Sequence, residues 1–239
     1  MKIDHGVQLV EDMENAIVAW KDMGFTVSPG GIHADGLTHN ALVTFRDGSY
    51  IELLAFRSKD VGQHRWARYR GFWGPIDYAI SIPDLSTFAP HLKTKGLPYS
   101  DMSNGGRTRP DGIELKWRSV FATDQTLGLP FFIEDVTDRS LRVPMHTDSV
   151  LHPNAATGIA DVHVAVPDLN LATGHFELLF GEAHISSNTS SFKLDGSTLT
   201  ISQPIANTPE AALVARRGAG PITFTIAAPT LIVIKPASL

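Results

Sequence analysis

Cysteine is absent from this chain of 239 residues. That absence excludes disulfides, thiolate metal sites and cysteine nucleophiles, and it is typical of a reducing compartment. Long apolar runs are also lacking, because none approaches the roughly 20 residues that span a bilayer. The N-terminus begins with a strand-like pattern and carries no secretory signal. We therefore expect a cytoplasmic protein that has no membrane partner.

Positive charge is scarce as well. The formal net charge is -5, and the basic run from His64 to Arg70 is short and interrupted by aromatic residues. A general nucleic-acid binder relies on neutralising phosphates, so no nucleic-acid partner is expected. The glycine pairs Gly30–Gly31 and Gly105–Gly106 lack the strand-to-helix spacing of a phosphate loop, and no nucleophile elbow or H-E-x-x-H motif is present.

What the sequence does contain is a repeat. The opening segment reads as a strand, a helix preceded by Asp12, and two strands joined by the turn Asp47–Gly48, with Phe25 to Val27 as a short second strand. The same β-α-β-β-β order recurs after Pro75 and after Ile159, and PITFTIAA with TLIVIKP forms a truncated fourth copy. Repeated periods of this kind predict an α+β protein made of paired βαβββ modules that form open, curved mixed sheets.

The modules place polar residues at equivalent inward positions. Aligning the pre-helix aspartates Asp12 and Asp84 pairs His5 with Asp77, and aligning the last strands pairs Glu52 with Glu134. Four such residues argue against separately satisfied core groups, because a buried charge without a partner is very costly. An imidazole and carboxylates that converge in a cleft indicate a bound divalent metal. A structural hydrogen-bonded pair of His5 and Glu52 is the alternative.

The repeat, with the segments THNALVTF, YIELLAF, LPFFIED and HPNA, resembles the glyoxalase-like branch of the vicinal oxygen chelate superfamily along essentially the whole chain. The resemblance implies a divalent metal held by His5, Glu52 and Glu134, with Asp77 at a fourth position that is often histidine in the family. Asp77 is then a base or an outer residue rather than a ligand. The metal is manganese, iron, zinc or nickel, and the oxygen-rich donors favour manganese or iron.

Two functions remain open at this point. The first is a lyase or isomerase that acts on a small carbonyl or hydroxy-carbonyl compound through a metal-stabilised enolate, with Asp77 or Glu134 as the catalytic base. An iron-dependent dioxygenase is less favoured, because only His5 is a histidine at a ligand position. The second is a metal-free binding or resistance protein that sequesters a small molecule in the same concave surface.

The remaining expectations concern the cavity wall and the organisation of the chain. His39 and Asn40 start a strand and are candidate substrate-binding residues, although they could instead fix the preceding turn. Arg107 and Arg109 lie in the glycine-rich stretch SNGGRTRPDG, which reads as a solvated loop. We expect residues 1–140 to hold the active cleft, 141–157 to be a linker and 158–239 to form the third and fourth modules. A homodimer is possible, because related barrels form within or between chains.

Overall fold

The computed structural model describes residues 1–62 and 64–236. The first module contains the strands and helix β1 (Lys2–Leu9), α1 (Met13–Asp22), β2 (Ser28–His33), β3 (Thr38–Thr44) and β4 (Tyr50–Phe56). The second contains β5 (Gly74–Ser81), α2 (Leu85–Thr94), β6 (Ser103–Thr108), β7 (Glu114–Val120) and β8 (Phe131–Asp135). A turn of 3-10 helix at Ala67–Tyr69 lies between the two modules.

The second half of the chain repeats the pattern in a smaller form. The short helices α3 (Arg139–Arg142) and α4 (Thr147–Val150) lead into β9 (Gly158–Ala165) and α5 (Leu169–Phe180). Then follow β10 (His184–Ser186), β11 (Thr189–Leu194), β12 (Ser197–Ser202), α6 (Pro209–Arg217), β13 (Gly220–Ala227) and β14 (Ile232–Ile234). The predicted last segment extends to residue 239, and its final residues 237–239 lie outside the described part.

The module helices begin where the sequence predicts. The carboxylate of Asp12 accepts a hydrogen bond from the Asn15 N–H, and Asp84 accepts from Ser86 N–H and Thr87 N–H. Asp168 does the same at the start of α5. An aspartate at this position satisfies N–H groups that have no partner within the helix, so it fixes where the helix starts.

The eight strands of the first two modules form a closed barrel in the order β1-β4-β3-β2-β6-β7-β8-β5. The parallel pairs β1–β4 and β5–β8 each join the first and last strands of one module, and the antiparallel pair β1–β5 joins the modules. The barrel closes on the other side through β2 and β6, where Ile32 pairs with Thr108 and His33 with Arg107. The cavity described below lies inside this barrel.

The other six strands form a separate sheet in the order β10-β11-β12-β9-β13-β14. Its β13 strand packs against the barrel, where the Phe224 ring covers Gly6 of β1 so closely that a Cβ at Gly6 would lie 2.7 Å from the ring. One apolar core contains buried residues of both sheets, including Phe132 from the barrel and Phe176 and Phe224 from the second half. The two sheets therefore stabilise each other.

The predicted α+β class and paired modules are confirmed. One element differs, because the second strand of the first module is Ser28–His33 rather than Phe25 to Val27. Phe25 is buried in the core and Ser28 is the first residue that pairs with β3. Among the described helices, none combines the length and the apolar character that crossing a bilayer requires.

Candidate active site in the barrel

The barrel encloses a cavity of about 480 Å³. Its walls are largely apolar and aromatic, with Leu37, Leu42, Trp66, Trp117, Phe121, Phe131 and Ile133. Its polar groups come from several strands and include His5 (β1), His33 (β2), Asn40 (β3), Glu52 (β4) and Arg107 (β6). An apolar pocket with a few convergent polar groups is the usual form of a small-molecule site.

His5 is oriented by its sequence neighbour. Its Nδ1 lies 2.6 Å from Oδ1 of Asp4, which is fully buried. Burial alone would raise the pKa of Asp4, but the Arg142 guanidinium, which donates to both carboxylate oxygens, and the His5 contact hold that pKa well below its usual value. An ionised carboxylate only accepts hydrogen bonds, so Nδ1 of His5 must carry the proton.

The ring of His5 is also held by aromatic contacts. It stacks on Tyr50 at a centroid distance of 4.5 Å and an interplanar angle of 16°, and Phe131 meets it edge-on at 5.4 Å. The second nitrogen, Nε2, lies 3.7 Å from Oε2 of Glu52. An aspartate on Nδ1 and a free Nε2 next to a cavity is the arrangement of a histidine that exchanges protons with a ligand.

Glu52 lies between two imidazoles. Its Oε1 accepts a hydrogen bond from the Asn40 side-chain amide and lies 3.4 Å from Nε2 of His33. Burial would raise the pKa of Glu52, but the contacts with His33, His5 and Asn40 lower it to about 2. Glu52 is therefore a permanent negative charge at neutral pH, and its low pKa makes it a weak base.

Sequence reasoning missed His33, and it placed Arg107 in a solvated loop. Arg107 instead lies in β6, is 4% exposed and pairs through its backbone with His33. The glycine pair Gly30–Gly31 is the signal that could have identified Arg107, since it marks a strand that Asn40 and Arg107 approach closely. A Cβ at Gly30 would lie 1.9 Å from the Asn40 side-chain oxygen, and one at Gly31 would lie 3.2 Å from Cγ of Arg107. Glycines inside a strand mark such close approaches.

Glu134 does not join this group. Its Oε1 is 2.6 Å from Nη2 of Arg118, and its Oε2 accepts the Leu85 N–H at the start of α2. The reason is the two-residue alternation of a strand: Phe131 and Ile133 line the cavity, so Glu134 points to the other face. The strand register aligns Phe131, not Glu134, with Glu52, since Val7 pairs with Glu52 and its counterpart Ala79 pairs with Phe131.

Asp77 is likewise bound elsewhere. Its Oδ2 accepts from Nη2 of Arg65 at 2.7 Å and from Nε1 of Trp66 at 2.8 Å. The antiparallel pairing of β1 with β5 places Asp77 opposite Val7 and places Ala79 opposite His5. His5 and Asp77 are therefore not paired with each other across the two strands. Asp77 also does not line the cavity that His5 lines.

The two candidate substrate-binding residues separate in the same way. Asn40 lines the cavity together with Thr38 and Leu42, two residues away on either side. His39 points to the opposite face of β3, which it shares with Ala41 and Val43, and those two residues belong to the core beneath α1. His39 therefore lies outside the cavity wall.

The predicted metal ligands do not fit a single divalent ion. His5 and Glu52 are adjacent, but Glu134 is committed to Arg118 and to α2. Within residues 1–62 and 64–236, no three histidine, aspartate or glutamate side chains are placed to hold one ion. The Asn40 amide also donates to the Glu52 oxygen next to His33, where a cation would have to bind.

Comparison with known proteins supports the fold. No curated protein matches the sequence. Among solved structures, a hypothetical protein from Staphylococcus aureus is 15% identical, with a TM-score of 0.70 over 84% of this chain and 86% of that one. A xylose isomerase-like TIM barrel/4-hydroxyphenylpyruvate dioxygenase fusion protein is 11% identical, with a TM-score of 0.55 over 95% of this chain and 36% of that one.

Shorter proteins match one part of the chain. Methylmalonyl-CoA epimerase from Mycobacterium tuberculosis is 20% identical, with a TM-score of 0.44 over 56% of this chain and 87% of that one. The family model of the Glyoxalase-like domain matches residues 3–180, which include all of the barrel strands except the first residue of β1. The chain therefore belongs to the Glyoxalase-like domain family.

Proposed function

We propose that this protein is an enzyme of the isomerase or lyase type that moves a proton on a small carbonyl or hydroxy-carbonyl compound inside the barrel, with His5 as the acid-base group. The observation that carries the proposal is the Asp4–His5 pair, which gives His5 a fixed tautomer and turns Nε2 toward the cavity. An oriented histidine of this kind contributes about a hundredfold or more to proton transfer.

The step is simple to write. Nε2 of His5 removes a proton from the carbon next to the carbonyl group, and the electron pair of that C–H bond moves to the carbonyl oxygen, which gives an enolate. Return of the proton to the opposite face of the same carbon gives the epimer. In a hydroxy-carbonyl compound, the hydroxyl proton can move to the former carbonyl oxygen, and return of the first proton to the former carbonyl carbon then gives the isomer. The Glu52 carboxylate, 3.7 Å from Nε2, would stabilise the imidazolium that forms in between.

Glu52 is a poorer candidate for the base. Its pKa of about 2 gives its carboxylate little affinity for a proton, whereas a base works best when its pKa lies near the working pH. Glu134 and Asp77 carry no catalytic step in this proposal, because both are ion-paired to arginines outside the cluster of His5, Glu52 and His33.

A divalent metal is not used in any step, because the donors described above do not converge. Metal dependence can be measured directly. Metal analysis of protein purified without chelators, compared with the His5→Ala, Glu52→Ala double variant, tests it. Stoichiometric metal that is lost from the double variant would restore the ligand role predicted for His5 and Glu52.

The second candidate is a binding or resistance protein, which the apolar and aromatic walls of the cavity favour. Deuterium exchange discriminates between the two. The wild-type protein is incubated in deuterated water with hydroxyacetone, benzylacetone or pyruvate, and loss of the C–H signal next to the carbonyl is followed by proton NMR. We expect catalysed exchange with at least one of these compounds.

Two variants make the exchange test specific. His5→Gln should lower the catalysed rate by about a hundredfold. His175→Gln is the matched control, because His175 is half-buried on α5, does not line the cavity, and its Nδ1 bonds the Leu171 carbonyl of its own helix. Binding without exchange by the wild type would favour a binding protein, and undiminished exchange by His5→Gln would remove His5 from the mechanism.

A further inference from the structure

Three arginines line the cavity, and two of them have carboxylate partners. Arg65 pairs with Asp77 at 2.7 Å. Arg142 pairs with Asp4 at 2.8 Å and with Asp135 at 2.5 Å. In these two cases the positive charge is neutralised within the wall of the barrel, which is what burial of a guanidinium requires.

Arg107 is the exception. It is only 4% exposed, yet no carboxylate of the described residues forms an ion pair with it. The hydrogen bond its side chain makes is from Nη2 to the carbonyl oxygen of Arg142, at 3.0 Å. Glu52 is the acidic residue in the same cavity whose charge acts on Arg107, but Glu52 is bound by His33, His5 and Asn40.

The surroundings of Arg107 are built to hold it. Its side chain lies against Gly31, and a Cβ there would be 3.2 Å from Cγ of Arg107 and 2.0 Å from the Thr108 carbonyl oxygen. Gly105, two residues before it, leaves room for the Trp117 ring. Gly31 and Gly105 thus leave room for the Arg107 guanidinium beside the aromatic residues of the cavity wall. No carboxylate of the described barrel residues forms an ion pair with it.

From this placement we infer that Arg107 anchors the carboxylate of a small organic acid whose apolar body lies against Trp117 and the other aromatic residues of the cavity. A guanidinium binds a carboxylate through two parallel hydrogen bonds, and such a pair is strong where water is excluded. This inference rests on the proposed function only in that both use the same cavity.

The anchor defines the substrate class more narrowly. An acid held at Arg107 places its carbonyl or hydroxyl carbon within the space that His5 and Glu52 also face, so the compound is a carbonyl acid rather than a neutral aldehyde or ketone. Arg107 is then a specificity-determining residue. It can also stabilise negative charge that develops on the enolate oxygen.

Binding of phenylacetate and of its neutral isostere phenylacetamide tests the anchor, by titration calorimetry on the full chain at low salt. We expect phenylacetate to bind the wild type about tenfold more tightly or better, as a desolvated charge-assisted pair requires. Arg107→Gln should abolish this preference and leave phenylacetamide binding unchanged. Arg107→Lys should keep part of the preference, because it keeps the charge and loses the fork.

Arg109→Gln is the matched control, since Arg109 is ion-paired to Asp111 outside the cavity and should keep the full preference. Equal affinity of the wild type for the two compounds, no measurable binding of either, or a preference that survives in Arg107→Gln would each overturn the anchor. So would displacement of phenylacetate by equimolar inorganic phosphate, which would identify a phosphate site instead. The wild-type comparison needs no variant, so it stands even if Arg107→Gln does not fold.

Failure of the anchor and failure of the proposed function give different results. Proton exchange on benzylacetone with no preference for phenylacetate would remove the anchor alone. A preference for phenylacetate that is lost in Arg107→Gln and kept in His5→Gln, with no exchange on any carbonyl compound, would remove the enzyme alone.

Discussion

Glu52 is a buried carboxylate that lines the cavity, and its ionisation is coupled to folding. Its pKa is about 2 in the folded protein, below the ordinary value of 4.5. A depressed pKa contributes stability that is fully present above pH 4.5 and is lost as the pH falls toward 2. The contribution is on the order of 3 kcal/mol at neutral pH.

The pH dependence of unfolding follows from this. The wild type should lose more free energy of unfolding between pH 7 and pH 3 than Glu52→Gln, as measured by urea titration with circular dichroism. Glu11→Gln, at an exposed position, should behave like the wild type. An equal loss in the wild type and in Glu52→Gln would show that the folded protein does not favour the ionised form of Glu52.

Glu134 allows the structural and the catalytic interpretation to be separated. It accepts the first free N–H of α2 and pairs with a partly exposed arginine, so Glu134→Ala should lower the free energy of unfolding by about 1–2 kcal/mol. The rate of deuterium exchange at saturating substrate should stay unchanged. Loss of exchange at unchanged stability would instead support the catalytic role that the sequence predicted.

Residue by residue, the site was only half predictable. His5, Glu52 and Asn40 lie on strands whose alternation the sequence displays, and all three line the cavity. Glu134 was wrongly aligned with Glu52 because the two modules have connections of unequal length, which the alignment along the chain did not account for. An error of an odd number of residues places every side chain of a strand on the opposite face. Arg107 was not predicted to line the cavity, because a strand that contains Gly105 and Gly106 has little β-propensity and reads as a loop.

At the scale of the elements, the strand β2 shows what local sequence can hide. It reads SPGGIH, and its proline and glycines indicate a turn more than a strand. Tertiary packing makes this segment a strand instead, because Gly30 and Gly31 have no side chains and so leave room for Asn40 and Arg107 to pack against it. The helices were simpler to predict, because an aspartate cap and an apolar stripe are both local features.

The glycine at position 30 should therefore be intolerant of even one methyl group. Gly30→Ala would place a Cβ 1.9 Å from the Asn40 side-chain oxygen and 2.6 Å from the Asn40 backbone oxygen. We expect a loss of about 1–3 kcal/mol in the free energy of unfolding and weaker binding in the cavity.

Gly174→Ala serves as its control. Gly174 lies within α5 and a Cβ there meets nothing within 4 Å. The change should therefore be neutral or stabilising by up to about 1 kcal/mol. Urea unfolding of both variants measures the difference. Equal stability of the two variants would mean that β2 can move away from Asn40 without cost.

For the whole molecule, the repeat explains both what was predictable and what was not. Strand periodicity gave the modules, and the pairing of first and last strands within each module follows from them. The closure of the barrel and the packing of the second sheet on β1 depend on contacts between distant segments, which no local pattern encodes. The predicted division of the chain into two domains by a linker at residues 141–157 stays a prediction. It can be tested at the apolar core that the two sheets share.

Phe224 connects the two sheets. It is fully buried, and its ring fills the space above Gly6. Phe224→Ala should cost about 3–5 kcal/mol, and the two halves should still unfold in one transition. Val233→Ala, at an exposed position in the same sheet, should change stability by less than about 0.5 kcal/mol. Two separate transitions in Phe224→Ala, seen by Trp fluorescence and circular dichroism, would show that the halves are independent.

The short pairing of β2 with β6 has one more consequence. Only two residue pairs join these strands, Ile32 with Thr108 and His33 with Arg107, whereas the neighbouring pair β6–β7 has six. Few backbone hydrogen bonds must break to separate β2 from β6, so we expect this strand pair to open transiently more often than the other strand pairs of the barrel. A ligand that enters between β2 and β6 would contact the Arg107 guanidinium first. Entry into the cavity and selection for a carboxylate would then occur in the same step.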